Sequence, residues 1–243
     1  PATDFIKGQL RFNLDQEITR WLKVGLNTSL SISTKNDPGV AGLLRDAVTC
    51  SPLGSVYDAE GNLNMHPTGL QENWNPLIDL QEKTSTTKNR NDLVNLFFDF
   101  KIFKGLTYRL NVSRRSWNAK VETYSTANSK AGSYTGMGSG TIKNQDENEW
   151  TLDNILSYDN QFGKHHVSGT LIQSWNERNK HSNQMDGSLI PNDLLGVYGI
   201  EAAGKVIPTL SASQRRLVST ALRMQYDFAS KYYVTISGRR DGS

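Results

Sequence analysis

The feature that most constrains this chain is alternation of apolar and polar residues with period two, sustained through eight segments of about 9–13 residues. From Phe5 to Asn13, Ile6, Leu10 and Phe12 share one face while Lys7, Gln9, Arg11 and Asn13 share the other. Between Trp21 and Ser33 the faces read Leu22, Val24, Leu26, Thr28, Leu30, Ile32 and Lys23, Gly25, Asn27, Ser29, Ser31. Leu93 to Phe103 follows the same rule, with Phe97 breaking its polar face, and Leu106 to Ser113 comes directly after. Trp150 to Tyr158 and Val167 to Trp175 are less regular; Val218 to Phe228 and Tyr232 to Arg239 are clean. Strands of soluble proteins average about 5–6 residues, whereas a strand crossing a bilayer at a tilt needs about 9–11. All charged residues within the eight segments keep to the polar face. Lipid would impose that, since Arg or Lys at mid-depth costs about 2–4 kcal/mol, but a β-sandwich core imposes it too.

The connections separate these two cases. Asp15 to Arg20, Lys104-Gly105, Asn160 to Lys164 and Ala229 to Lys231 are short. Thr34 to Asp92, Ser116 to Glu149 and Asn176 to Arg216 each exceed the ~12–15 residues usual for a structureless loop. Short and long alternate strictly. In an up-and-down meander every short turn then lies at one end and every long loop at the other, which is the asymmetry of outer-membrane barrels with long extracellular loops. The expected fold class is therefore all-β, an antiparallel up-and-down transmembrane β-barrel in the bacterial outer membrane. Trp21, Phe103, Tyr158, Phe162, Phe228 and Tyr232 fall near the short-turn ends and Trp150 and Trp175 near the long-loop ends, as two interfacial girdles would. Trp150 and Tyr158 differ in depth by roughly 20 Å at ~3.3 Å per residue and a tilt of about 40°, against an apolar band of ~25 Å.

Other classes fail on composition. The longest apolar run, Leu194 to Ile200, is far short of the ~20 residues of a spanning helix. A net charge of +3 with basic residues scattered in ones and twos gives no phosphate-gripping stripe, so nucleic acid is not an expected partner. Cys50 stands alone, which rules out an intrachain disulfide or a thiolate zinc cluster. The N-terminal Pro1-Ala2-Thr3-Asp4-Phe5 has no basic-then-apolar leader, so either a signal peptide has been removed or the chain is an excerpt, and the strand-like run that stops at Ser243 favours the excerpt.

Several stretches also resemble a known family. They are Trp21-Leu22-Lys23-Val24-Gly25-Leu26-Asn27, Ser51-Pro52-Leu53 leading to Val56-Tyr57-Asp58-Ala59-Glu60-Gly61, and Lys104-Gly105-Leu106-Thr107-Tyr108-Arg109. Leu152 to Tyr158, Phe162-Gly163-Lys164-His165, and Tyr232-Tyr233-Val234-Thr235 through Arg239-Arg240-Asp241-Gly242-Ser243 complete the set. In order and spacing they resemble the barrel of SusC/RagA-type TonB-dependent outer-membrane transporters. The resemblance implies a 22-stranded barrel, an N-terminal plug domain, a TonB-binding segment and a SusD-like lid lipoprotein. On that plan residues 1–243 are an internal part of the barrel domain, about eight strands, without plug, signal peptide or terminal strands. It further implies import of glycan oligomers or peptides, with outer-membrane lipid, the lid and the TonB complex as partners.

Candidate residues follow from position. Trp74, Tyr124, Tyr134 and Tyr198 lie in the long loops, where an exposed ring stacks on a sugar or covers a peptide side chain; packing the loop is the plainer role. Arg11, Asp99, Arg109, Arg223 and Arg239 are expected to face the lumen and line a solute path, or to contact a plug or one another. Gly39 to Val48 reads as a short helix that packs its loop or touches a lid. Asp58, Glu60 and Asn62 alternate like calcium ligands but lack the glycine of an EF-type loop, so a turn is expected and no metal. His165-His166 opens a strand without an acidic partner nearby in sequence. Ser129 to Gly140 reads as a mobile tip. No constellation of nucleophile, base and orienting group can be assembled, so neither an enzyme nor a cofactor is expected. Two rival readings are a complete eight-stranded barrel of structural or adhesive type and a soluble carbohydrate-binding β-domain.

Overall fold

A computed structural model describes residues 3–243; Pro1 and Ala2, and the side chains of Val40, Ala41, Leu43 and Leu44, lie outside the described residues. Eight strands follow one another: β1 (Asp4–Thr19), β2 (Leu22–Asn36), β3 (Lys83–Phe103), β4 (Leu106–Ser125), β5 (Gly138–Phe162), β6 (His165–Ile190), β7 (Lys205–Phe228) and β8 (Tyr232–Gly242). They form one antiparallel sheet in chain order, so each hairpin pairs neighbours and no crossover occurs. All eight alternating segments lie in these strands, apart from Trp21 at the head of the second, and the register carries their phase across the sheet. Leu26 stands opposite Leu96, which is opposite Val112, then Leu152, Trp175 and Val218 in turn. Three residues along, on the opposite face, Lys23 stands across from Asp99, Asp99 from Arg109, and the row continues through Ile155, Ile172 and Ala221 to Arg239. An apolar band and a polar face are thus continuous over the sheet.

Among the described residues nothing covers either face over the alternating segments. Leu10 is 67% exposed, Phe12 51% and Ile236 68%. The accessible surface is 16001 Å², whereas a compact protein of 27.1 kDa exposes about 11,000 Å². A soluble sandwich would bury its apolar faces against each other, and this single layer does not. β1 and β8 pair with nothing beyond their one neighbour among the described residues, so a closed eight-stranded barrel is not formed either.

The strands exceed the alternating segments. β3 to β7 run 21, 20, 25, 26 and 24 residues. The long connections shrink accordingly to 37–82, 126–137 and 191–204. The cause is physical: periodicity reports a difference in solvent between the two faces, and beyond the band both faces meet water. There Arg90, Asn118, Asp146 and His181 form a row on the same side as the apolar residues, while the backbone ladder continues unchanged. At the other end the turns are tighter than expected. β1 pairs through Thr19, leaving Arg20-Trp21 as the turn, and Gly163-Lys164 replaces Asn160 to Lys164. Gly105 (φ 87°) and Gly163 (φ 61°) supply the positive φ that such hairpins require. Trp21 therefore sits in a turn rather than at a strand start, its ring 6.3 Å from Phe100, which stacks on Tyr108 at 5.8 Å.

Phe97, the interruption of the polar face, has a specific partner. A Cβ built on Gly25 would stand 2.1 Å from Phe97 Cζ, so the ring lies on bare glycine backbone, shielded from the other side by the Arg109 guanidinium at 4.8 Å from the ring centroid. Gly25→Ala is expected to destabilise the detergent-folded barrel by about 1–3 kcal/mol, as overpacking does. Adding Phe97→Leu is expected to recover most of that loss in a urea titration; equal loss in the double variant refutes the contact.

Candidate functional site

The polar face is built as a ladder of cross-strand pairs rising from the short-turn end. Lys23 Nζ lies 2.9 Å from Asp15 Oδ2, and Arg109 grips Asp99 with Nε and, at 2.7 Å, Nη2. Higher up, Asn95 donates to Asn111 (2.7 Å), Asn111 donates to Asp153 (3.1 Å), and Ser174 donates to the other oxygen of Asp153. Asn176 then donates to Glu149 at 3.0 Å, and Arg178 to Glu147 at 2.6 Å, with Glu147 only 6% exposed. Exposed pairs of this kind contribute about 0–1 kcal/mol each. Their main effect is to cancel charge locally, leaving a wall of amides and hydroxyls that interacts weakly with hydrated solutes. Register puts all five residues Arg11, Asp99, Arg109, Arg223 and Arg239 on this face. Arg239 is bound to Asp241 at 2.9 Å, whereas Arg11 and Arg223 have no carboxylate partner among the described residues. Arg223 and Arg239 flank a depression of about 460 Å³ with Thr170 and Ser237.

His166 lies on the same face at the turn end, 3.2 Å from Asp159 and 3.4 Å from Asp227. The expectation that it lacks an acidic partner is therefore corrected. Asp159 is seven residues upstream, across a two-residue turn that brings it beside His166, and only the true hairpin register reveals it. His165 points to the other face, its Nδ1 2.7 Å from Tyr226 Oη and its ring 4.9 Å from Phe228.

The loops carry their own cores. In the first, α1 (Val40–Thr49) matches the expected helix; the side chains at Val40, Ala41, Leu43 and Leu44, on which a lid contact would depend, are outside the described residues. Trp74 is 7% exposed, edge-on to His66 at 5.4 Å. Next to it Asn75, 2% exposed, donates to the carbonyls of Val56 and Asn64 and caps α2 (Pro76–Glu82) by accepting from Leu77 N–H. Asp58 Oδ1 accepts from the backbone of Glu60 and Asn62, closing the expected turn. The second loop is not a free tip. Ser129 is fully buried, Lys130 N–H donates to Asp79 Oδ1 at 2.9 Å, and Thr126 bonds Glu82, which fastens the loop to α2. Gly138 and Gly140 are small because Tyr124 and Val197 occupy the space of their Cβ atoms, not for mobility.

The third loop, with 3-10 turns across Asp193–Ala202, folds back over the strand tips on the apolar-band side. Val197 and Ile200 press on Gly140 and Gly187 and join Tyr124 and Ile190 in a small core. Tyr124 is 5% exposed and donates to Asp193 Oδ1 at 2.5 Å; burial first, then that carboxylate, pushes its phenol up. Tyr198 donates to Glu122 Oε1 at 2.5 Å and accepts from Lys120 Nζ at 3.2 Å, while Lys120 and Glu122 pair at 2.6 Å. Of the four aromatic candidates, Trp74 and Tyr124 are thus core residues out of a solute's reach. Tyr198 is latched to the band side, and Tyr134, 81% exposed, stands open. Lys120, and then Tyr198, hold the Glu122 carboxyl below its ordinary range. The latch is therefore complete above the ordinary carboxylate range and is lost as pH falls through the lowered Glu122 value. Tyr198→Phe is expected to cost about 0.5 kcal/mol, the low end for a half-exposed bond, and to speed amide exchange over 193–202 at neutral pH. In acid the variant and the parent should converge.

No family model matches the chain. It is 26% identical over 242 residues, 95% of its length, to TonB-dependent receptor P3 of Formosa agariphila, and 23% identical over 238 residues to TonB-dependent receptor P26 of the same organism. It spans about a quarter of the length of each, 24% in both cases. Among solved structures, the RagAB peptide transporter superimposes with a TM-score of 0.78 at 17% identity over 98% of this chain and 28% of that one. The unliganded ferric citrate transporter FecA gives 0.52 at 8% identity over 99% of this chain and 33% of that one. The structural likenesses speak for the fold, and both curated relatives are named as TonB-dependent receptors. Register, fold and relatives together show an up-and-down transmembrane β-barrel segment, similar over almost its whole length to about a quarter of TonB-dependent receptors.

Proposed function

We propose that residues 1–243 form a wall segment, within the barrel domain, of an outer-membrane importer that takes up peptides or glycan oligomers. The polar face is the lumen wall, and Arg11, Asp99, Arg109, Arg223 and Arg239 line the solute path or meet a plug domain. The plug and the TonB-contacting segment belong to other parts of the protein, energy comes from the inner membrane through TonB, and a SusD-like lipoprotein closes the entrance over the three loops. Tyr134 is the loop aromatic placed to touch cargo. RagAB, described as a peptide importer, supports peptides as one solute class; the amide and hydroxyl wall suits both classes. The observation that carries this reading is the separation of the sheet into an uncovered apolar band and a charge-balanced polar face, each continuous across the strands.

Two measurements test it. A tag inserted at Gly136 is expected to be labelled by antibody on intact cells, and one between Gly163 and Lys164 only after permeabilisation; the reverse pattern refutes the topology. In the full-length protein, Leu152→Arg is expected to cost about 2–4 kcal/mol of barrel stability and Thr151→Arg little, because only the first side chain enters hydrocarbon. Uptake of labelled peptides or oligosaccharides that vanishes with a protonophore supports import; energy-independent uptake counts against TonB coupling.

A further inference from the structure

The charge balance of the polar face stops at the upper edge of the band. Over three rows inside the band, from the one joining Asp15 to Asp241 down to the one joining Lys101 to Ser237, five carboxylates meet five cations. Four further rows start beside Trp150, at Arg11, Arg115, Glu149 and Arg215, and end at Lys35 and Lys143. They span about 15 Å of height at ~3.3 Å per residue and a tilt of about 40°. Two of their cations have a carboxylate: Arg178 holds Glu147 at 2.6 Å, and Lys35 holds Asp37 at 2.7 Å. Lys7, Arg11, Arg115, Lys143, Lys180 and Arg215 have none among the described residues. Glu149, the other acid of these rows, accepts from Asn176, and Asp186, one row higher, is taken up by Thr141 and Gln184. On the outward side at this height Arg90, Lys120 and Arg216 each hold a carboxylate, which leaves Lys88 and Arg114 as the unpaired cations there. The surplus of positive charge therefore belongs mainly to the inner wall.

The same rows carry a ring. Trp117 lies on the polar face between Asn91 and Glu147. It is half-buried, and among the described residues nothing accepts from its indole N–H and no ring or cation stacks on it. Arg115, two residues before it on that face, donates Nε to Asn91 at 3.4 Å and keeps both Nη groups for another partner. In the row above, Asn89, Gln145, Ser182 and Ser211 add amides and hydroxyls. Neighbouring unpaired cations repel one another, and an anion seated among them relieves that repulsion. Arg matches a carboxylate or a sulfate with two parallel hydrogen bonds, and Lys adds a point charge. Backbone N–H and C=O groups of these strands are engaged in the ladder, so a peptide main chain finds no strand edge to join here. Amides, hydroxyls and an open ring face fit the hydroxyls and the C–H face of a sugar instead.

We propose that this upper wall binds acidic oligosaccharide cargo, a glycan bearing carboxylates or sulfate esters. The inference rests on the reading of the polar face as the lumen wall and narrows the cargo of that importer. Arg115, Lys180 and Arg215 hold the anionic groups, Trp117 stacks under a sugar ring, and Asn91 hydrogen-bonds hydroxyls. The test titrates the full-length receptor, purified in mild detergent, with fluorescently labelled hexagalacturonate, neutral maltohexaose and hexaglutamate, each variant first being shown to form a heat-modifiable barrel. Wild type is expected to bind hexagalacturonate at least tenfold more tightly than maltohexaose, with an affinity that falls as salt rises. Arg115→Gln/Lys180→Gln/Arg215→Gln is expected to bind the acidic hexamer roughly tenfold more weakly, the sum of three exposed charge pairs. Trp117→Ala is expected to lose roughly fivefold and Trp117→Phe little. Arg90→Gln, on the outward side, should change nothing. Equal affinity for the acidic and neutral hexamers, an unaltered triple variant, or hexaglutamate bound as tightly as hexagalacturonate overturns the proposal. Protonophore-sensitive uptake of neutral oligomers, with acidic hexamers neither binding nor competing, overturns it too while the importer reading stands. Acidic hexamers that bind although no oligomer enters cells in an energy-dependent way would sink the importer reading and leave the binding surface.

Discussion

The structure depends on hydrocarbon acting as solvent for one face of a single pleated sheet. In lipid no water is at hand for backbone N–H and C=O groups, so each must be satisfied within the protein, and an unbroken antiparallel ladder of long strands does this. That requirement explains the absence of crossovers, the two- and three-residue turns at one end and the lack of a second layer. It also explains why a chain with 36% hydrophobic residues needs almost no core: on the proposed reading Leu26, Leu96, Val112, Leu152 and their neighbours are left for lipid rather than protein to cover.

The parts of the fold legible in the sequence are those where the two faces meet different solvents. Strand order, phase, the order of short and long connections and the face of all five charged candidates followed from the period-two pattern and the spacing of its segments. The strand extensions did not, because Arg90, Asn118 and Asp146 stand in water on the band side and break no rule by being polar there. Only the ladder, invisible to a hydropathy pattern, reveals that residues such as Lys180 and Ser213 are paired across strands.

The loop sites were less legible for a different reason. Whether Tyr124 is open or buried is decided by a segment some seventy residues away, where Asp193 and Val197 fold back on it; no local signal encodes that contact. Gly138 and Gly140 looked like flexibility because composition cannot distinguish a glycine that moves from one that admits a neighbour's side chain. Two long-range clues were present in retrospect. The apolar run Leu194 to Ile200 lacked a strand phase, and Gly140 in β5 and Gly187 in β6 leave room to receive Val197 and Ile200.

The upward continuation of the strands has a mechanical consequence. β5 carries twelve residues past Trp150, so the wall rises roughly 30 Å clear of the bilayer as hydrogen-bonded ladder before any loop begins. Such a chimney is stiff, since narrowing it would mean shearing many neighbouring backbone bonds at once. In a barrel closed by further strands, as proposed above, the aperture would accordingly keep a fixed calibre, and sealing it would fall most cheaply to a separate body over the top.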